Sequence, residues 1–157
     1  MGKLIELKKA GNTAIIVANR IVAECDADKG EIISNLKLQK MLYYLQGFFI
    51  AMFDKKLFEE PILAWTYGPA VENAYYHFKK FENGAITLNG KEKMIKFANN
   101  KEYNVFKNVM DEYGQFSAIK LMSMTHEEPP WKEAFNRRPN SEITYNSLKR
   151  FFLTRIE

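Results

Sequence analysis

His126, Glu127 and Glu128 stand side by side ahead of Pro129-Pro130-Trp131, and a histidine next to two carboxylates suits a metal ligand set or a general base. The spacing matches no familiar zinc motif, and adjacent residues on one helical turn point in different directions. A structural or partner-contacting imidazole is therefore the better reading of His126 than catalysis. The other histidine, His77, lies between Tyr76 and Phe78, far in sequence from any second ligand, and reads as structural. Cys25 is the single cysteine, which excludes an intramolecular disulfide and a cysteine-rich zinc site, and a reducing cytoplasm fits. No Cys–His pairing is apparent for it. Ser117 and Ser123 lack the glycine framing of an activated nucleophile. Gly68-Pro69-Ala70 lacks the glycine repeat and lysine of a phosphate loop, and Asp26, Asp28 and Glu31 lack the remaining ligands of a calcium hand. Neither catalysis nor a metal or cofactor is expected. Binding is better provided for: Trp65, Tyr67, Tyr75, Tyr76 and Trp131 are amphipathic rings placed near element ends. They either anchor a partner or fill the core with their polar tips satisfied, and periodicity does not separate the two.

The elements that would position these side chains are mostly helical. A first helix is expected over Thr13 to Cys25, capped by Asn12 or Thr13, with a stripe of Ala14, Val17, Ala18, Ile21 and Val22. Asp26 to Gly30 follows as a polar turn. In the second, capped by Ser34 or Asn35, Leu38, Met41, Leu42, Leu45, Phe49 and Met52 recur at three- and four-residue steps. Leu36, Tyr43, Tyr44, Phe48 and Phe53 spread apolar surface around its sides, as suits a central helix. Gly47 within it costs about 1 kcal/mol relative to alanine, which close approach of another backbone would explain. Pro61 to Trp65 is extended, either a strand or a plain connector. Gly68-Pro69 is expected to open a third helix running to about Phe81, stopped by Asn83-Gly84. Ala85 to Leu88 with Asn89-Gly90 reads as a strand and turn, half of a hairpin. Asn99 or Asn100 caps a fourth helix closed by Gly114, and Ser117 opens a short fifth. Pro130 starts a single turn with Trp131, Ala134 and Phe135, and a last helix covers about Thr144 to Arg155.

The expected fold is mainly α: one compact single-domain bundle over residues 1–157, with six or seven helices and at most a small β-hairpin. An apolar share of 46% beside 27% charged residues excludes disorder. The net charge of +4 is spread along the chain in small clusters such as Lys79-Lys80 and Arg137-Arg138. That argues against a nucleic-acid footprint without excluding one. Met1 to Ala10 has no apolar run fit for a signal peptide, and Met41 to Phe53 falls short of the ~20 residues a membrane span needs. A cytoplasmic protein with no membrane partner is the expectation.

Three segments together carry a family resemblance. Leu36 to Gly47 (LKLQKMLYYLQG) resembles the LKLQKLLYYxQG helix of the SocA-like Panacea antitoxins, a family that includes GepA-like phage-associated proteins. Ala64 to Val71 (AWTYGPAV) is similar to that family's AWxYGPVV segment, and Met124 to Trp131 (MTHEEPPW) to its LTHxExPW segment. Order and separation also agree, from about Ala14 to Phe152. Ala70, Met41 and Met124 depart from the usual valine, leucine and leucine. The resemblance implies a bacterial or phage antitoxin, encoded beside the protein toxin that it neutralises by direct binding. Delivery of that toxin to a protease or chaperone is a further route. A nucleic-acid-associated or regulatory phage protein is the alternative. The motif positions implied as family or partner-binding residues are Lys37, Lys40, Tyr43, Tyr44 and Gln46, then Trp65, Tyr67, Gly68 and Pro69, then Thr125, His126, Pro130 and Trp131. Lys37, Lys40 and Gln46 fall toward the flanks of their helix, where they either face a partner or pair locally. Toxin specificity is then expected on the variable surface between motifs. The oligomeric state is not legible.

Overall fold

Of the two expected caps of the central helix, Ser34 and Asn35, it is Ser34 whose hydroxyl accepts from the Lys37 amide at 3.2 Å and starts a helix over Asn35–Phe53. The chain leaves that helix through Asp54 in the left-handed region, whose amide still donates to the Ile50 carbonyl. In the computed structural model, residues 13–25 and 32–156 are described. The Asn12 cap, the turn at Asp26 to Gly30, the Asp26/Asp28/Glu31 group and Met1 to Ala10 lie outside them. In chain order the elements are α1 (Ala14–Glu24), α2 (Asn35–Phe53), β1 (Ile62–Trp65), β2 (Gly68–Ala70), α3 (Glu72–Phe78), a 3₁₀ turn (Lys79–Phe81), α4 (Asn100–Tyr113), α5 (Ala118–His126), α6 (Pro129–Arg137), β3 (Glu142–Ile143) and α7 (Tyr145–Leu153).

Side-chain oxygens of Thr13, Asn99, Ser117 and Thr144 cap α1, α4, α5 and α7 in the same way as Ser34 caps α2. Helix α2 is buried almost all round and touches α1, α3, α4, α5, α7 and β2, so the core assembles on it. Its inner rings Tyr43, Tyr44 and Phe48 meet Phe152 of α7 edge-on, at centroid distances of 5.4, 6.0 and 4.9 Å. Tyr113 of α4 stacks on Tyr44 at 4.2 Å. Gly47 is explained by this packing and not by a neighbouring backbone: a Cβ there would strike the Phe152 ring.

The architecture is mainly α, with seven α-helices and a small antiparallel sheet among the described residues. Two local expectations are corrected. Gly68-Pro69 does not open a helix; Gly68 sits at φ +105°, and Gly68–Ala70 instead pairs with β1 in the register Trp65–Gly68, Ala64–Pro69 and Leu63–Ala70. Proline is tolerated because β2 is an edge strand in the order β2-β1-β3, where a missing ladder donor costs nothing. The second correction is Ala85 to Leu88, which forms no ladder. Its backbone is held singly, Ile86 donating to Ile33 and, further along, Ile95 to Ile16, while both side chains are buried. In addition, α6 is nine residues long where a single turn was expected, and β3 adds a short third strand to the hairpin. No helix among the described residues is long and apolar enough to cross a membrane.

A clamped hairpin and the cleft beside it as candidate functional site

The β1–β2 hairpin, turning at Thr66-Tyr67, is gripped from both sides by polar side chains that reach its backbone. From α2, Lys40 Nζ donates to the Pro69 carbonyl at 3.1 Å, and Gln39 Oε1 accepts from the Val71 amide at 2.8 Å. The other end of the Gln39 amide donates to Asn35 Oδ1, and Asn35 Nδ2 donates to the Tyr75 carbonyl of α3. From the α5–α6 corner, Trp131 Nε1 donates to the Trp65 carbonyl at 2.8 Å. His126 Nε2 lies 3.1 Å from the Thr66 carbonyl, a bond that requires the proton on Nε2. The His126 and Trp131 rings lie against each other at 4.2 Å, and Phe135 stacks on Trp131 at 4.6 Å.

Close approach at the hairpin depends on Gly68. A Cβ there would come within 2.6 Å of Lys40 Cε and 3.1 Å of Thr125 Oγ1, and the positive φ already disfavours any side chain. Lys40 is only 2% exposed. Burial pushes its ammonium from 10.5 down to about 7.

Further along α2, Tyr43 and Tyr44 donate to the two carboxylate oxygens of Glu128, at 2.9 and 2.8 Å. Burial raises the Glu128 carboxyl from 4.5 to about 7, against the two tyrosine bonds and the charge of Arg155, which pull the other way. Burial and the facing carboxylate raise both tyrosine hydroxyls. Gln46 closes the loop after α2, accepting from the Leu57 and Phe58 amides and donating to the Phe58 carbonyl.

The motif residues thus divide by position. Lys40, Tyr43, Tyr44, Gln46, Gly68, Pro69, Thr125, Pro130 and Trp131 are buried. For Lys40 and Gln46, the geometry is local pairing with neighbouring backbone. Lys37 is half-buried, with its ammonium on the Gly114 carbonyl at 2.6 Å. His126 and Trp65 are half-buried, and Tyr67 at the hairpin tip is 69% exposed. The neighbours His126, Glu127 and Glu128 diverge, to the hairpin, to solvent and to the tyrosine pair. Among the described residues no group of three or more acidic, histidine or cysteine side chains is arranged to hold a metal.

Beside the hairpin lies a cleft of about 500 Å³ between α2, the hairpin and α3. Lys40 and Gln39 contribute to its wall, together with Trp65, Tyr67, Tyr75 and Lys79. Trp65, Tyr75 and Tyr76 form an edge-to-face ring cluster, Trp65 to Tyr75 at 5.1 Å and Tyr75 to Tyr76 at 5.3 Å, and Tyr76 is 56% exposed. Sequence reasoning singled out these rings but not the cleft, because Asn35 was read as a candidate helix cap and Gln39 only as part of a motif.

A family model described as antitoxin SocA-like, Panacea domain, matches residues 38–132, which span all three motifs apart from Leu36 and Lys37. No curated protein and no solved structure matches the chain.

Proposed function

The chain belongs to the SocA-like Panacea antitoxin family, and from that premise we propose that it is the antitoxin of a bacterial or phage toxin–antitoxin pair, neutralising a cognate protein toxin by direct binding. It acts by holding that toxin in the cytoplasm, not by catalysis, and residues 1–157 work as one domain. Helix α7 supports the last point: it lies beyond the matched segment, yet its Phe152 is wholly buried against α2.

The observation that carries the reading is the aromatic face of the hairpin and α3, where Tyr67 and Tyr76 are exposed beside the half-buried Trp65 and Tyr75. Tyrosine and tryptophan anchor interfaces because they bury much area at little conformational cost. Here that cost is reduced further, because Lys40, Gln39, His126 and Trp131 fix the hairpin backbone before any partner arrives. The buried motif residues are the scaffold of the contact surface, and the exposed rings and their variable neighbours select the toxin.

Co-expression of this chain with the product of its adjacent gene tests the reading, with growth and co-purification scored together. Rescue of a toxic neighbour with a stable complex is the expected result. Rescue without a complex would favour handing the toxin to a protease or chaperone. A harmless neighbour and no complex would overturn the antitoxin reading, and steeply salt-dependent DNA or RNA binding would then favour the regulatory alternative.

A further inference from the structure

Lys40 is a buried amine whose charged form has no counter-charge. Among the described residues no carboxylate lies within ion-pair distance of its ammonium, and its one hydrogen bond goes to the neutral Pro69 carbonyl. An ammonium offers three donors, so two are left over, in a residue that is 98% removed from solvent yet forms part of the wall of an open cleft. Desolvating such a group without an anion is costly, and an anion entering from the cleft would supply what is missing. Trp65 and Tyr75, whose rings meet edge to face at 5.1 Å, line the same cleft and give it apolar surface. Lys79 and Glu82 also line the cleft with opposite formal charges, so Lys40 is the lining residue that biases its charge.

We propose that this cleft is a carboxylate-binding site, in which the Lys40 amine takes the carboxylate and Trp65 and Tyr75 flank the flat or apolar stem that carries it. The carboxylate belongs either to a free organic acid or to an acidic side chain presented by a partner protein. The site does not depend on the toxin-binding reading. The lowered affinity of Lys40 for its proton supports it, because a bound anion would restore that affinity. Binding then takes up a proton above pH 7 and weakens as the pH rises. Other titratable groups around Lys40 are Tyr67 on the hairpin, Tyr75, Lys79 and Glu82 along the cleft, His126 next to Thr125 at the end of α5, and Glu128 at the start of α6, bonded to Tyr43 and Tyr44. Comparison with Lys40→Met at each pH separates its contribution from theirs.

Calorimetric titration of the full chain with indole-3-acetate and with its neutral counterpart, indole-3-acetamide, tests the proposal. The acid is expected to bind at one site at least about tenfold more tightly than the amide at pH 6. Its affinity should fall about tenfold from pH 6 to pH 8, with about one proton taken up at pH 8 when buffers of different ionisation enthalpy are compared. In Lys40→Met the acid should lose its advantage. Equal binding of acid and amide, a preference that survives Lys40→Met, or no proton uptake by the unaltered chain would overturn the proposal, and the last reading needs no variant to fold. Adding saturating indole-3-acetate to a purified toxin complex distinguishes the sources: displacement assigns the cleft to a partner's acidic residue, and an undisturbed complex assigns it to a free acid.

Discussion

Helix α2 is buried on two sides by different means. Toward α4 and α7 it packs rings: Tyr43, Tyr44 and Phe48 against Phe152 and Tyr113. Toward the hairpin and α3 it packs hydrogen bonds, with Asn35, Gln39 and Lys40 reaching the backbone of Tyr75, Val71 and Pro69. Ring packing fixes shape and supplies most of the stability, but its energy has little directional demand. A side chain bonded to a peptide group fixes position and register and is indifferent to the residue type that it holds. The second arrangement lets the hairpin and α3 change their outward residues while their backbones stay in place. That is what a scaffold meeting different partners requires.

This contrast breaks most readily on the apolar side. Phe152→Ala is expected to cost about 3–5 kcal/mol, read from the urea midpoint, because it empties a site lined by four rings. Gly47→Ala should cost about 1–3 kcal/mol by forcing the same ring aside. On the polar side, Gln39→Ala leaves the Val71 amide buried without its acceptor and should also cost about 1–3 kcal/mol. Unlike the ring variants, it should weaken toxin binding beyond what its loss of folded protein accounts for, as judged by affinity measured well below its melting temperature.

The two buried ionisable groups sharpen the comparison through pH. Folded Glu128 holds its proton more tightly than an unfolded carboxyl does, so its contribution to stability falls as pH rises from 4.5 to 7. Folded Lys40 holds its proton less tightly than an unfolded lysine does, so its contribution rises from pH 7 to 10.5. Together they give a minimum near pH 7, with slopes approaching ~1.4 kcal/mol per pH unit on either side. Melting scans across pH should show Glu128→Gln flattening the acid side and Lys40→Met the alkaline side. A variant with both slopes intact would contradict the assignment. The smallest effect is expected at the tip: Tyr67→Ala should change stability by less than about 0.5 kcal/mol in the same scans.

The ring side was legible in the sequence and the polar side was not. The apolar repeat of Leu38, Met41, Leu42 and Leu45, and the Ser34, Asn99, Ser117 and Thr144 signals, are local, and each stands where an element begins or packs. For Lys40 and Gln46 the sequence left partner contact and local pairing open, because residues on a helix flank ordinarily reach water; the hairpin and the Leu57-Phe58 loop, brought from elsewhere in the chain, bury them. Gly68-Pro69 carried a helix-start signal, and pairing with β1 overrode that preference of proline. Ala85 to Leu88 has strand propensity but pairs with no strand among the described residues. The family motifs contain the clamp residues Gln39, Lys40, His126 and Trp131, but residue types alone showed neither the hairpin that they hold nor which members face inward.

The most direct test of the account removes the exposed rings and leaves the clamp untouched, with Tyr67→Ala and Tyr76→Ala combined and assayed by co-purification with the cognate toxin and by growth on co-expression. The account predicts an unchanged melting temperature with loss of both complex and rescue. An unchanged melting temperature with full complex formation and full rescue would contradict it.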